Sequence, residues 1–412
     1  MSHVTSTRTL AIDGGTPVRN KPWPVWPPHS EQRWTEQIEP ALREVYMSGV
    51  EGLPGPRAAA FAQAWAEFHD SSYGVMTPHG TDALMAAIAA AVDHDGLTEP
   101  GEVIMPAYTF IATASAALAL RCKVAFADID PVTYTLDPAA VEAMIGPETV
   151  AIMPVHIGGH PAAMDEFVAL GERHGLVVIE DCAQAHGASW RGRRVGSWGD
   201  AGGYSFQSSK NVTSGEGGCV VTNEYTLYER VCSFVDVGRR PGGERWEYPR
   251  LGWNYRPSEY LAALLSARLA DYPTDLVRRS TAAAYLTEQL ADVPGFTPPA
   301  EAEGCTQHGY HLYMMRVDPS ALGGRGRGEV IAALGAEGIP GFAGYGASLD
   351  QHEALIAARA RNPEFFRYGP LDVTHDVCDQ SVWLLQQTLL AEREDLDDIV
   401  EAVRRISAAW AS

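Results

Sequence analysis

The chain has 412 residues, 46% of them hydrophobic and 20% charged, with a formal net charge of −21. That length is sufficient for two domains with a large buried core, and the composition is not that of a disordered chain. The acidic balance speaks against a nucleic-acid partner, and the longest apolar run, around residues 83–92, is too short to span a bilayer.

Residues 1–35 read as an irregular arm, because "GGTPVRNKPWPVWPPH" is rich in proline, which neither continues a helix nor donates to a sheet. Its first residues lack the basic start and continuous apolar core of a secretory signal, which predicts a cytoplasmic protein. From residue 73, apolar runs alternate with helical patterns. They lie at 73–77, 102–106, 124–129, 150–157, 176–182, 202–207 and 218–223. Near-continuous apolar strands separated by helices predict an α/β fold with a seven-stranded, mostly parallel sheet covered on both faces. After residue 257 the alternation stops, and a smaller α+β unit is expected at the C-terminus. The expected division is an arm (1–35), a large domain (36–275) and a small domain (276–412). Six scattered cysteines show neither paired nor metal-ligand spacing, so reduced thiols and no metal site are expected.

In such sheets ligands bind beyond the carboxyl ends of the strands. Three segments end strands there. In "TPHGTDAL" a helix opens at Gly80 and Thr81, and free N–H groups at a helix start suit a phosphate as well as an ordinary cap. In "VIEDCAQAHGA" Asp181 follows apolar residues, where a buried carboxylate needs a compensating partner. In "YSFQSSKNVTSGEGG" Lys210 follows a strand among short hydroxyls. It is one of three lysines in the chain, with Lys21 and Lys123; the other 28 of the 31 basic residues are arginine. The P-loop pattern GxxxxGK[ST] and the dinucleotide fingerprint GxGxxG are both absent. A phosphate cradle, a buried acid and an amine together suit pyridoxal 5'-phosphate, which needs an anion site, a partner for its ring nitrogen and a Schiff-base lysine. Lys21 lies in the arm and Lys123 at the far end of a strand, which leaves Lys210.

The set "HGTDAL", "MPAYTFIATASAA", "FADIDPVTYTLDP", "MPVHIGGHPAAMD", "VIEDCAQAHGA", "YSFQSSKNVTSGEGG" and "GWNYRPSEYLAALL" resembles the DegT-type sugar aminotransferases, pyridoxal-phosphate enzymes of fold type I. The resemblance implies that Lys210 holds the cofactor and shuttles the proton, and that Asp181 pairs with the pyridine nitrogen. It places Phe110 on one face of the cofactor and Gln184 on the other, with Gly80, Thr81 and Ser205 at the phosphate. Asn254 would reach the phosphate from a neighbouring subunit, making a homodimer the catalytic unit. Some relatives carry histidine in place of Lys210 and dehydrate ketosugars, so lysine favours transamination.

"KPWPVWPPH", "HIGGHPAAMDEF", "GIPGFAGY" and "VWLLQQTLL" look most like a branch acting on cyclic ketones. That branch includes scyllo-inosose aminotransferases and 3-amino-5-hydroxybenzoate synthases. The implied reaction moves an amino group from L-glutamine or L-glutamate to a cyclic polyhydroxylated ketone in secondary-metabolite biosynthesis. A dehydrating synthase of the second kind and an enzyme for nucleotide-linked ketosugars are the alternatives. His160, His186 and Tyr345 are candidate substrate contacts, against the plainer reading of hydrogen-bonded structural residues. Ala163 stands where relatives usually carry an acid, and "GYGASLDQHEAL" lacks a common proline- and tyrosine-rich loop.

Overall fold

Runs of apolar residues with little polar alternation make strands that are stable only when both faces are covered, and the computed structural model shows that burial. It describes residues 9–52, 55–94, 99–244 and 246–411; residues 1–8 of the expected arm lie outside the described residues. The strands are β1 (Tyr73–Thr77), β2 (Glu102–Pro106), β3 (Lys123–Ala127), β4 (Thr149–Ile152) and β5 (Val177–Asp181). A short hairpin of β6 (Ser189–Trp190) and β7 (Arg193–Arg194) precedes β8 (Ala201–Ser205) and β9 (Gly218–Thr222). β4 stops short of the expected residue 157 because Pro154 has no N–H to give a ladder; its carbonyl instead accepts from Asp181 N at 2.9 Å.

The large sheet runs β1-β9-β8-β5-β4-β2-β3-β13, where β13 is Phe366–Tyr368. It therefore has eight strands, one more than the seven expected. Three residues, Phe-Arg-Tyr, carry no readable period. β13 is held by parallel pairing with β3 and by Arg367, whose Nε donates to buried Glu102 at 2.7 Å. Pairing is parallel throughout except at β9, which runs antiparallel to both β1 and β8. Helix Gly80–Ala91 is apolar all round and packs into the core over this part of the sheet, with Ala83, Leu84, Ala86, Ala87 and Ile88 buried.

β10 (Phe296–Thr297), β12 (Leu312–Val317) and β14 (Ser381–Leu385) form a second, antiparallel sheet, while β11 (Cys305–Gln307) pairs with β6. Helices Tyr272–Leu290, Arg327–Ala336 and Arg393–Trp410 cover it around a core that includes Leu286, Tyr313, Leu334 and Val403. Residue 275 lies inside the first of these helices, which continues through it. The arm packs against this core of its own chain. Leu10 is buried in it, the N–H groups of Ala11 and Val18 each donate to the buried Glu337 carboxylate at 2.9 Å, and Arg19 bridges to Asp395 and Asp398. Ser30 caps the next helix at Glu31.

All six cysteines are free thiols. Among the described residues no helix is long and apolar enough to cross a membrane.

Candidate active site

The carboxyl ends of β5 and β8, the loop after β2 and the start of helix Gly80–Ala91 enclose a cavity of about 670 Å³. Its size lies in the range of small-molecule and cofactor sites. Asp181 ends β5 and is buried; its Oδ2 accepts from Thr113 at 2.8 Å and its Oδ1 from the N–H of Ala183 at 3.1 Å. Thr113 is in turn paired with Thr109 at 2.9 Å. Burial pushes the Asp181 carboxyl above its ordinary value, against the pull of Thr113, Ala183 and Lys210. A positively charged N–H seated against it would reverse that cost.

Behind β5, neighbouring Glu180 points the other way. His156, Glu180 and Cys182 bring ligand-type atoms within 4.8 Å of one another. Glu180 already accepts from His156 and from the N–H groups of Gly196, Trp198 and Gly199, and His156 Nδ1 accepts from Ala162 N–H. The cluster is a hydrogen-bonded buttress for the strand that carries Asp181.

Lys210 sits in the turn after β8, where its N–H donates to the Gln207 carbonyl at 2.8 Å. Its side chain lines the cavity, and burial lowers its ammonium to about 8, with Asp181 opposing. The other two lysines are ion-paired, Lys21 with Asp395 at 2.6 Å and Lys123 with Glu148 at 2.7 Å. At pH 8 Lys210 therefore offers on the order of 100-fold more free amine than an ordinary lysine. Acylation of the cofactor-free protein at pH 8, followed by peptide mapping, is expected to label Lys210 first and to slow markedly at pH 6. Equal labelling of all three would contradict this.

Gly80 opens its helix against β8. A Cβ there would lie 2.5 Å from Ser205 Cβ and 3.0 Å from Ser205 Cα, so the helix start and the strand end touch through the missing side chain. Among the described residues no side chain caps this helix: the His79 ring instead meets Asp82 at 2.7 Å, leaving the N-terminal N–H groups beside Thr81 and Ser205 for an anion. Gly80→Ala is expected to destabilise the fold by roughly 1–3 kcal/mol and to weaken phosphate binding, read by thermal melts with and without inorganic phosphate.

Phe110 is exposed on the cavity wall. Gln184 is fixed at both ends: its Oε1 accepts from Gly158 N–H at 2.8 Å and its Nε2 donates to Tyr345 at 2.6 Å. Tyr345 stands edge-on to Tyr108 and Trp383. The cavity thus gathers Gly80, Thr81, Phe110, Asp181, Gln184, Ser205, Lys210 and Tyr345 from segments far apart in sequence.

Three candidates are not brought there. Asn254 is exposed on a loop bridged to Asp236. His186 is buried beside the Lys210 segment: its Nδ1 accepts from Val212 N–H at 3.1 Å and its Nε2 donates to the Ser205 carbonyl at 2.9 Å. It staples the backbone on both sides of Lys210. His160 does the same elsewhere, donating from Nδ1 to the Pro161 carbonyl at 2.7 Å and accepting from Ala302 N–H at 3.1 Å. With both ring nitrogens on backbone groups, neither imidazole is placed to meet a substrate. The sequence reading passed over Thr113, His311 and Trp383, all on the cavity wall. Thr113 lies three residues beyond Phe110, and the other two sit in β12's approach and in β14, apolar strands without a polar motif.

The profile of the DegT/DnrJ/EryC1/StrS aminotransferase family matches residues 32–404. A protein of Streptoalloteichus tenebrarius, provisionally named L-glutamine:3-amino-2,3-dideoxy-scyllo-inosose aminotransferase, is 37% identical over 97% of this chain and 98% of its own. L-glutamine:2-deoxy-scyllo-inosose aminotransferase of Micromonospora echinospora is 35% identical over 97% and 98%. The solved structure of 3-amino-5-hydroxybenzoic acid synthase superposes with a TM-score of 0.83 at 28% identity, covering 95% of this chain and all of that one. The fold is that of the fold type I aminotransferases. The chain belongs to the DegT/DnrJ/EryC1/StrS aminotransferase family.

Proposed function

We propose that this aminotransferase uses pyridoxal 5'-phosphate to move an amino group from L-glutamine to a ketocyclitol of the scyllo-inosose type, in aminoglycoside biosynthesis. The observation that carries the reading is near full-length similarity, at 35–37% identity, to relatives whose names specify that donor and acceptor class. The hydroxybenzoate synthase is similar at 28%.

The site fits the cofactor. The contact between Gly80 and Ser205 leaves a cradle with an uncapped helix start, and among the described residues the hydrogen bonds to buried Asp181 come only from the neutral groups of Thr113 and Ala183. When bound, pyridoxal phosphate supplies a carbonyl that takes up the amine and a ring that spreads the electrons of the substrate carbanion. The chain's own residues do the rest. Gly80, Thr81 and Ser205 bind the phosphate. Asp181, steadied by Thr113, holds a proton at the ring nitrogen. Phe110 and Gln184 orient the ring, with Gln184 anchored by Gly158 and Tyr345. Lys210 Nζ, the amine with the lowered pKa, would hold the carbonyl carbon and, once displaced from it by the donor's amine, would carry the proton between substrate and cofactor.

The reading includes the three-part division at residues 35 and 275, with β13 returned to the large sheet. It also includes a homodimer with shared sites: Asn254 adjoins exposed Trp246, Tyr248, Leu251 and Trp253, an apolar surface suited to a second copy. The test is reconstitution with pyridoxal 5'-phosphate, addition of L-glutamine alone, and then of keto acceptors. Conversion of the spectrum to the amine form, reversed by 2-deoxy-scyllo-inosose, is expected. Reversal only by a nucleotide-linked ketosugar, or no conversion by L-glutamine, would overturn the reading.

A further inference from the structure

His311 is the one histidine of the inner cavity wall that the roles above leave unused. It is buried, and its Nδ1 lies 3.2 Å from Asn211 Oδ1. Its Nε2 makes no hydrogen bond among the described residues and is not sealed from the cavity. Asn211 directly follows Lys210 and is itself buried, and its Nδ2 donates to the Gly309 carbonyl at 2.7 Å.

Donor and acceptor rules leave this chain one arrangement. The Gly309 carbonyl only accepts, so the amide NH₂ of Asn211 must face it. Its oxygen then faces His311, and an oxygen there requires the proton on Nδ1. A neutral ring with Nδ1–H has a bare Nε2. We infer that Asn211 is a positioning residue that locks His311 in the Nδ1–H tautomer, so that Nε2 presents a fixed hydrogen-bond acceptor to a hydroxyl of the keto acceptor beside Lys210.

The charges around the ring support the neutral form. Burial holds His311 well below the ordinary imidazole range, and Lys210, His186 on the loop after β5, and Arg279 on helix Tyr272–Leu290 act in the same direction. Asp181 and Tyr345 also line the cavity. An acceptor that does not titrate between pH 6 and 8 suits a polyhydroxylated substrate, whose hydroxyls donate at any such pH. An imidazolium would present a donor instead and add a second cation beside the amine.

The tautomer is tested without reference to activity. In full-length protein labelled with ¹⁵N-histidine, with His311 assigned by its loss in His311→Gln, one protonated Nδ1 and one bare Nε2 are expected from pH 6 to 8. A protonated Nε2 would overturn the inference whether or not the proposed function holds. Asn211→Asp puts a carboxylate against Nδ1–H, which raises the imidazole pKa so that Nε2 gains a proton as pH falls. The second measurement rests on the function proposed above, and conversion of the wild-type spectrum by L-glutamine secures that first. In Asn211→Asp the kcat/KM for the keto acceptor, divided by the wild-type value at the same pH so that the titration of Lys210 cancels, is then expected to fall about tenfold from pH 8 to pH 6, the worth of one hydrogen bond. Asn211→Ser, whose hydroxyl both donates and accepts, frees the tautomer and is expected to raise the acceptor KM several-fold at every pH. Parallel pH profiles for wild type and Asn211→Asp, or an unchanged KM in Asn211→Ser, would overturn the assignment.

Discussion

Lys210→Ala is expected to abolish amino transfer, lowering the rate by about 10⁴-fold or more. It is also expected to leave protein loaded with pyridoxal phosphate without a covalent label after borohydride reduction. In the role proposed for Lys210, three functions would be lost with one side chain: the covalent hold on the cofactor carbonyl, the base, and the proton carrier. No neighbour replaces them. Lys21 and Lys123 are tied to carboxylates away from the cavity, and His186 has both ring nitrogens on backbone groups. Phosphate affinity should survive, because Gly80, Thr81 and Ser205 are untouched. Mass spectrometry of the reduced protein is the measurement, and a reducible adduct in the variant would refute the role of Lys210.

The second large effect belongs to Asp181. Asp181→Asn keeps the shape and the Thr113 contact but removes the charge proposed to hold a proton on the cofactor ring. A loss of about 10²–10³-fold in kcat is expected, the usual cost of losing a preorganised charge interaction. Stability should move the opposite way in the cofactor-free protein. The Asp181 pKa is raised in the folded state, so the folded chain binds more protons than the unfolded one between the ordinary carboxyl value and the raised value. Stability is lost as pH rises through that window, and at pH 7 the buried charge is a cost. Removing it should raise the melting temperature at pH 7 and have little effect near pH 3. Adding the cofactor should reverse the order, with wild type gaining more. A variant less stable than wild type at pH 7 without cofactor would show that Asp181 already has its counter-charge within the chain.

What could be read from the residues follows a physical divide. Seven of the sheet's eight strands, a helix opened by Gly80, and an acid and an amine at strand ends are local patterns, and each appears in its expected segment, with β4 ending early at Ile152. β13 was invisible because three residues carry no period; its place is set by the distant Glu102. Thr113, His311 and Trp383 were passed over for a related reason. His311 and Trp383 reach the cavity only when β12 and β14 come to the distant large sheet, and Thr113, on the helix after β2, shows its role only where it meets Asp181, 68 residues on. The histidines show the converse. His160 and His186 drew attention by residue type, yet each ring nitrogen is committed to a backbone group, and such bonds depend on tertiary approach.

The arm has a consequence for the order of assembly. Its N–H groups at Ala11 and Val18 meet Glu337, and Arg19 meets Asp395, across more than three hundred residues. These are among the longest loop closures in the molecule, and closures of that span form late because the intervening chain must first be ordered. During synthesis the Ala11 and Val18 contacts therefore wait for Glu337, and the Arg19 bridges wait longer, for the last helix. A nascent chain stalled before residue 393 would hold the large sheet with Arg19 still without its two carboxylates, a state that protease digestion between Leu10 and Trp23 would distinguish from the finished protein.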